Sequence, residues 1–474
     1  MIMAKTTTPP TATTTSTTKL NTNENKMMKK SKKNIVIISL NAVGHVNGCR
    51  GACIESLIGR GHNVYFLLEK AFEGQLRPFG FKEIIYDISN DQNEPAKKPG
   101  EQLANELLSY RMLGKMTIEE KLQQMINYFA KSHTFLCYYQ QVDICLKRLM
   151  NEMKIDLFII DDCHIHPAIY YSKIPVIKCI TSAPFIFFAQ DPAIPPPFTG
   201  IASNADPETL HKYREIVLGV LKKNAFADHI VKLGYEKYPD DPCEIEKRYA
   251  FYVYAYPKEL NHWKIESTYP RWFNLDVFNR NVQNETIDLE KLVGKDFFHD
   301  DLDGKFSGKW IYVSMGSMGS VDLELMQRLT SILAKSDHKY IVSKGPRHDE
   351  YELTGKNMWG ARFIPQVKIL PLVDLVITHG GNNTVTETFA QGKPMIVMPL
   401  FCDQSDNGQR LLETGFGACF EPYDFEEQQL LSTIDRLLTD EKLSDRLRRA
   451  SERIKKSNAH QLFGEKVEQF LNDY

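Results

Sequence analysis

The chain has 474 residues, of which 42% are hydrophobic types, 25% charged and 11% aromatic. That balance excludes a mostly disordered or fibrous protein, and the length is too great for one compact core, so two domains are expected. Lys and Arg total 58 against 60 Asp and Glu, a formal charge of −2, which lacks the broad basic footprint of a nucleic-acid binder.

Nine cysteines without a CxxC pair are too sparse for a disulfide scaffold and read as buried, reduced thiols of a cytoplasmic protein. No apolar run approaches the roughly 18–20 residues that span a bilayer, so no integral membrane contact is expected. Residues 1–33 hold a Thr/Pro/Ser tract and then a basic cluster from Lys26 to Lys33, with no apolar core of a secretory signal. They read as a disordered Thr/Lys-rich tail that buries nothing.

NIVIISL (Asn34–Leu40) then reads as a buried parallel strand, NAVGHVNG (Asn41–Gly48) as a turn-rich loop, Cys49–Arg60 as a helix and HNVYFLL (His62–Leu68) as the next strand. Together these make a βαβ unit. A long polar, helical stretch runs to about Met153, followed by DLFIIDD (Asp156–Asp162), a strand ending on carboxylates, and PVIKCI (Pro175–Ile180). Pro184–Pro197 is rich in Pro and aromatics and cannot be regular helix. Irregular chain of this kind usually runs at a surface or cleft, so Phe185, Phe187 and Phe188 either line a pocket or are core, the pocket being preferred.

Residues 205–270 look mixed and mostly helical, and the polar, aperiodic stretch at 279–308 marks a domain junction. The rhythm then restarts with KWIYVSM (Lys309–Met315), a GSMGS turn, a helix over Leu323–Lys335, KYIVS (Lys339–Ser343), LVDLVITH (Leu372–His379), a helix over Thr384–Gln391, PMIVMPL (Pro394–Leu400) and a charged helical tail. The pattern predicts two doubly wound α/β domains. Residues 34–280 form the first, 281–308 a linker, 309–456 the second, and 457–474 a helix packing back on the first. Ligands of such sheets bind beyond the carboxyl ends of the strands, so two facing domains make a cleft.

The most informative stretch is Phe363–Gln404. HGGNNTVTE (His379–Glu387) follows a strand and opens a helix. Gly380 and Gly381 let the backbone approach a ligand, and Asn383 and Thr384 add donors beside a helix N-terminus, a ready anion site. His379 can donate as well. Glu387 lies about one turn deeper, where a carboxylate can accept from a diol. Asp403 and Gln404 follow the next strand, and an acid beside an amide suits a polyol. Taken singly, each of these residues is an ordinary turn or surface group; the ordered set is not. GSMGS is no GxGxxG fingerprint, which leaves a dehydrogenase little support. His164 and His166 have the look of a metal pair but lack a third ligand.

FIPQ…THGGNNTVTE…GKP…PLFCDQ closely resembles the donor-site signature of family 1 UDP-glycosyltransferases, over the chain from about Asn34 to its end. The resemblance implies the two-domain GT-B fold. It implies that Phe363, where many members have Trp, stacks on the uracil, and that Gln366 holds the nucleoside end. Glu387 would hold the ribose hydroxyls; His379, Gly381, Asn383 and Thr384 would hold the diphosphate, with Ser317 near it. Asp403 and Gln404 would hold the hexose.

GHVN (Gly44–Asn47) resembles the segment carrying the family's catalytic base, His45, which a strand-end carboxylate supports. Counting from Asp156 selects Asp161 for that role, and counting back from Pro167 selects Asp162; Asp161 is preferred. Gly48 stands where many members have Pro, which should loosen the helix start.

By resemblance the reaction is an inverting displacement that moves a hexose, expected to be glucose, from a UDP-sugar to a small lipophilic acceptor such as a flavonoid or xenobiotic. No metal or other cofactor is expected, because backbone amides and the helix dipole stabilise the diphosphate. The segments PQVKILPLVDLVITHGG and GHVN are similar to soluble bacterial macrolide-type members and to the bacterial-type set of plant-feeding mites. A monomer or weak dimer is expected. The alternatives are a sterol or lipid glucosyltransferase and a non-catalytic UDP-sugar-binding subunit.

Overall fold

Short runs of β-branched and aliphatic residues form parallel strands that are buried on both faces. The structure, a computed structural model, describes residues 32–88, 101–222, 230–239, 242–262, 265, 271–279 and 287–474. The expected tail lies outside the described residues apart from 32 and 33, and so do residues 281–286 of the expected linker.

The first sheet holds β1 (Asn34–Ser39), β2 (Asn63–Glu69), β3 (Lys82–Tyr86), β4 (Leu157–Asp161), β5 (Val176–Ile180), β6 (Tyr249–Tyr254) and β7 (Trp272–Asn274). Their order is β3-β2-β1-β4-β5-β6-β7, parallel throughout. The second sheet holds β8 (Trp310–Ser314), β9 (Lys339–Ser343), β10 (Met358–Ala361), β11 (Leu375–Thr378), β12 (Met395–Val397) and β13 (Gly417–Cys419). Its order is β10-β9-β8-β11-β12-β13, again parallel. Both sheets are doubly wound, the expected fold class. Each reverses its strand order once, between β1 and β4 and between β8 and β11, and these switch points open the crevices where ligands bind.

Successive residues of β1 serve opposite faces. Ile35 and Ile37 pack with Val64 and Phe66, whereas Val36 and Ile38 join Phe158 and Ile160 on the other side.

The chain after β1 departs from expectation. Asn41–Gly48 is not a loop: helix α1 spans Val43–Cys53 and runs on into a π-helical turn, Ile54–Ile58. Val-Gly-His-Val-Asn-Gly is a poor helix former. Tertiary packing overrides propensity here, because Val46, Cys49, Ala52 and Cys53 are all buried. Gly48 makes the packing possible: a Cβ there would stand 2.5 Å from Thr181 Cγ2 and 2.9 Å from Thr181 Cβ.

Five further helices matter below: α2 (His133–Glu152), α3 (Asn382–Ala390), α4 (Gln404–Glu413), α5 (Glu441–Lys455) and α6 (Ala459–Asp473). In α6, Phe463, Val467 and Leu471 are buried in the core that contains Ile35 and Ile37 of the first sheet. Arg453 of α5 reaches Glu259 at 2.7 Å and Asp276 at 2.8 Å, both from the segment around β6 and β7.

The stretch before β8 contains two short helices, Leu289–Val293 and Lys295–His299. Lys339 Nζ fastens the second of them by donating to the carbonyls of Phe297 and Phe298 at 2.7 and 2.9 Å. Among the described residues, no helix is long and apolar enough to cross a membrane.

Candidate active site

The two switch points carry the chemistry. At the first, Ser39 of β1 lies opposite Asp161, the last residue of β4. His45 sits in the first turn of α1, and its Nδ1 lies 2.8 Å from Asp161 Oδ2. A carboxylate can only accept, so Nδ1 carries the hydrogen and Nε2 is the ring nitrogen that can take a proton. The His45 side chain is 28% exposed. Burial pushes its pKa down, but the charge and hydrogen bond of Asp161, with Asp403 and Asp162 further off, outweigh this and hold it above 6.5.

Asp162 points the other way, as the pleat requires. It accepts from the hydroxyls of Tyr138 and Tyr139 on α2, from the backbone N–H of Cys163 at 2.7 Å, and from His166 Nε2 at 3.1 Å. Of the two adjacent acids, Asp161 is therefore the one in contact with His45. His166 is committed to Asp162, and burial drops His164 to about 4. Among the described residues, no group of three or more His, Cys, Asp or Glu side chains is placed to hold a metal ion.

At the second switch point, Ser314 of β8 lies opposite Thr378 of β11. Ser317 lies in the short helix Gly316–Gly319 that follows β8, so this turn is helical. Gly316 has φ +71°, and a Cβ there would come within 2.6 Å of the His379 ring. Burial lowers His379 to about 4, so it is a neutral donor at pH 7. Gly381 is the N-cap of α3, which starts two residues earlier than expected.

Thr384 and Glu387 follow on α3, both buried. Gln366 joins them: its Nε2 donates to Glu387 Oε2 at 2.8 Å and to Thr384 Oγ1 at 3.2 Å. Phe363, three residues earlier, is 56% exposed, an apolar face presented to solvent. A ring face stacks on a base, a carboxylate accepts from hydroxyls and a helix N-terminus meets an anion, and groups of all three kinds stand here.

Side chains of the second half also reach across to the first. Asn383 Nδ2 donates to the carbonyl of Gly44 at 2.6 Å, one residue from His45. Asn382 Nδ2 donates to the carbonyls of Thr181 and Ala255, each at 3.1 Å. Asp403, the N-cap of α4, accepts from the Ala183 N–H at 2.7 Å, and burial raises its pKa. Gln404 uses its side-chain oxygen to accept from Leu400 N at 2.9 Å and Phe401 N at 3.2 Å. Its carbonyl is therefore committed to the turn, and only the amide nitrogen is of use to a hydroxyl-rich ligand.

Sequence reasoning missed Thr181, Asn382 and Asp406. Thr181 follows β5, and its hydroxyl lies 2.6 Å from Asp161 Oδ2 and 2.8 Å from His45 Nδ1. Its position beyond the carboxyl end of a strand was the available signal. Asp406, in the first turn of α4, accepts from Phe198 N at 2.7 Å and Gly200 N at 3.2 Å. The pocket expected of Phe185–Phe188 is present at Phe185, which lines a cavity with Pro195, Ile201, His262, Asp406 and Arg410, while Phe188 is core. Phe185 and Phe188 are 3% and 4% exposed, and their rings pack on Tyr256 and Trp272. Proline-rich chain lies here in a short 3-10 turn, Pro184–Phe188, which turns the Phe188 ring into the core and leaves Phe187 partly buried.

Residues 307–458 match the family described as UDP-glucoronosyl and UDP-glucosyl transferase. NDP-glycosyltransferase YjiC of Bacillus subtilis is 22% identical over 451 residues, 92% of this chain and 97% of that protein. The second half of the chain thus carries a domain of this family, and the chain over nearly its whole length is similar to a bacterial NDP-glycosyltransferase. A UDP-glucuronosyltransferase of Pleuronectes platessa is 30% identical over 99 residues, 20% of this chain and 21% of that protein.

Among solved structures, the glycosyltransferase of kitacinnamycin has a TM-score of 0.63 at 16% identity, covering 92% of this chain and 99% of that one. UDP-glucose:anthocyanidin 3-O-glucosyltransferase in complex with UDP has a TM-score of 0.60 at 15% identity, covering 94% and 100%. The enzyme thus has the GT-B fold, with two Rossmann-like domains.

Proposed function

We propose that the enzyme moves a hexose, glucose in the first instance, from a UDP-sugar to a hydroxyl of a small lipophilic acceptor. The observation that carries this reading is the contact of His45 with Asp161 at one switch point, one residue from the Gly44 carbonyl that Asn383 of the other switch point holds. Base and anion site are therefore joined by direct hydrogen bonds between the two halves of the chain.

The uracil stacks on Phe363, the ribose hydroxyls donate to Glu387, and the diphosphate lies at the N-terminus of α3 between His379, Gly381, Asn383, Thr384 and Ser317. Asp403 and the Gln404 amide nitrogen face the hexose. His45 Nε2 takes the acceptor's hydroxyl proton as the oxygen attacks the anomeric carbon. The bond to the diphosphate breaks on the opposite side, so the centre inverts. The imidazolium so formed is stabilised by Asp161, as an acid orients histidine in hydrolase triads. Negative charge gathering on the leaving UDP is met by backbone N–H groups and the α3 dipole. The named UDP-glucose donor of the anthocyanidin enzyme, which shares the fold, supports the choice of glucose.

The test is incubation with UDP-glucose and a panel of flavonoids, measuring UDP release and glucoside mass. His45→Ala should abolish transfer and leave UDP binding intact. Turnover by that variant refutes the base assignment, and UDP binding without transfer to any acceptor refutes the enzymatic reading.

A further inference from the structure

His45, Asp161 and Thr181 form a closed ring of three contacts. His45 Nδ1 lies 2.8 Å from Asp161 Oδ2 and 2.8 Å from Thr181 Oγ1, and Thr181 Oγ1 lies 2.6 Å from the same Asp161 oxygen. Proton counting leaves one assignment. The carboxylate accepts twice, the Thr181 hydroxyl donates its single hydrogen to Asp161, and the Nδ1 hydrogen is shared between Asp161 and the Thr181 oxygen. We infer that Thr181 is a positioning residue for the base: its hydroxyl fixes the plane of the His45 ring and sets how strongly Asp161 holds it. The inference rests on the reading of His45 as the base.

The packing is built for this contact. Thr181 is buried and follows β5, and its backbone N–H faces Asp161 Oδ1 at 3.4 Å. Its carbonyl accepts from Asn382 of α3, so the residue is held from both domains. On the α1 side stands Gly48, where any Cβ would come within 2.5 Å of the Thr181 methyl. A proline or alanine at 48 displaces Thr181 or tilts α1, and α1 carries His45. Gly48 and Thr181 are thus one device: the missing side chain admits the methyl, and the methyl side of Thr181 packs on the helix while its hydroxyl reaches the imidazole.

The acidic groups that act on His45 are Asp161 and Asp162 at the end of β4 and Asp403 at the start of α4. Thr181 is the neutral group among them that can donate to one acid and spare the others. By donating to Asp161 it draws off part of the charge that holds the imidazolium. Without the hydroxyl, Asp161 binds the protonated ring more tightly while the ring is free to rotate about its bond to Cβ.

The experiment compares Thr181→Val, which keeps the shape, with Thr181→Ser, which keeps the hydroxyl. His45 is titrated by NMR on histidine-labelled protein and assigned by its loss in His45→Gln; kcat and the KM for UDP-glucose are measured alongside. Thr181→Val is expected to raise the His45 midpoint by about half a unit and to lower kcat about tenfold, with KM changed less than twofold. Thr181→Ser is expected to restore both.

A wild-type midpoint and kcat in Thr181→Val overturns the inference. So does a raised KM with an unmoved midpoint, which makes the hydroxyl a contact of the donor sugar instead. The NMR titration needs no turnover, so it judges Thr181 even if His45→Ala retains activity and the base assignment fails.

Discussion

Asp406→Asn gives a pH-dependent change in stability whose sign and size follow from the structure. Asp406 is buried in the first turn of α4, and its two oxygens accept from the N–H groups of Phe198 and Gly200 in the first half of the chain. Burial, reinforced by the nearby charge of Asp403, outweighs these donors and raises its pKa from 3.8 to about 7. Between those values the folded protein holds a proton that the unfolded chain has released. The group's stability contribution is therefore full below about pH 4 and lost as the pH rises through about 7. At about 1.4 kcal/mol per pKa unit, the total is on the order of 4 kcal/mol, of which about 3 falls between pH 5 and pH 8.

Asparagine keeps one accepting oxygen and has no charge to release. It sacrifices about 1 kcal/mol for a lost hydrogen bond at every pH. Urea unfolding of both proteins at pH 5 and pH 8 isolates the effect, because every other titrating group cancels in the difference. The difference should swing toward the asparagine variant by about 3 kcal/mol on going to pH 8. Parallel loss of stability in the two proteins would refute the reasoning.

Glu387→Ala removes the carboxylate on α3 that Gln366 steadies at 2.8 Å. Losing hydrogen bonds to a charged group costs roughly 1.5–3 kcal/mol, so the Kd for UDP by calorimetry should rise about tenfold or more; an unchanged Kd removes the ribose role. Phe363→Ala takes away a ring that is 56% exposed and packs little in the core. Stacking of one base contributes roughly 1–3 kcal/mol, so UDP binding should weaken while the urea midpoint stays put, and equal loss of both would make Phe363 structural. Arg453→Met strips the partner from Asp276, whose side chain is 2% exposed. A buried acid left without its cation costs about 3 kcal/mol or more, read by urea unfolding at pH 7; a change below about 0.5 kcal/mol, the usual range for surface substitutions, would mean that α5 does not depend on this ion pair.

What was legible in the sequence was local. Runs such as IVIIS and LVIT can be buried only as parallel strands, and HGGNNTVTE announces a strand, a turn and a helix within nine residues, with the donor groups at fixed offsets. Thr384 and Glu387 could be placed on one helix because a single strand–helix unit supplies both, although that helix begins two residues earlier than the pattern suggests.

What only tertiary structure decided depends on residues far apart in the chain. The start of α1 at Val43 follows from packing against Thr181, because glycine and asparagine there carry no helical preference of their own. The choice between Asp161 and Asp162 lies in the pleat of one strand, which turns neighbours to opposite sides, and no count along the chain selects it. Phe185 lines a cavity and Phe188 is core, since only the position of Trp272 tells inside from outside. Thr181 has no local signature beyond its place at a strand end: a lone threonine there becomes a partner of His45 when β1, β4 and β5 lie side by side and α1 closes over them. The sequence by itself thus determined the fold class and the kind of ligand, because both are written in short-range pattern. The ring of contacts around His45 was decided by the sheet, because a hydrogen bond between residues 136 positions apart exists only once the chain between them has folded.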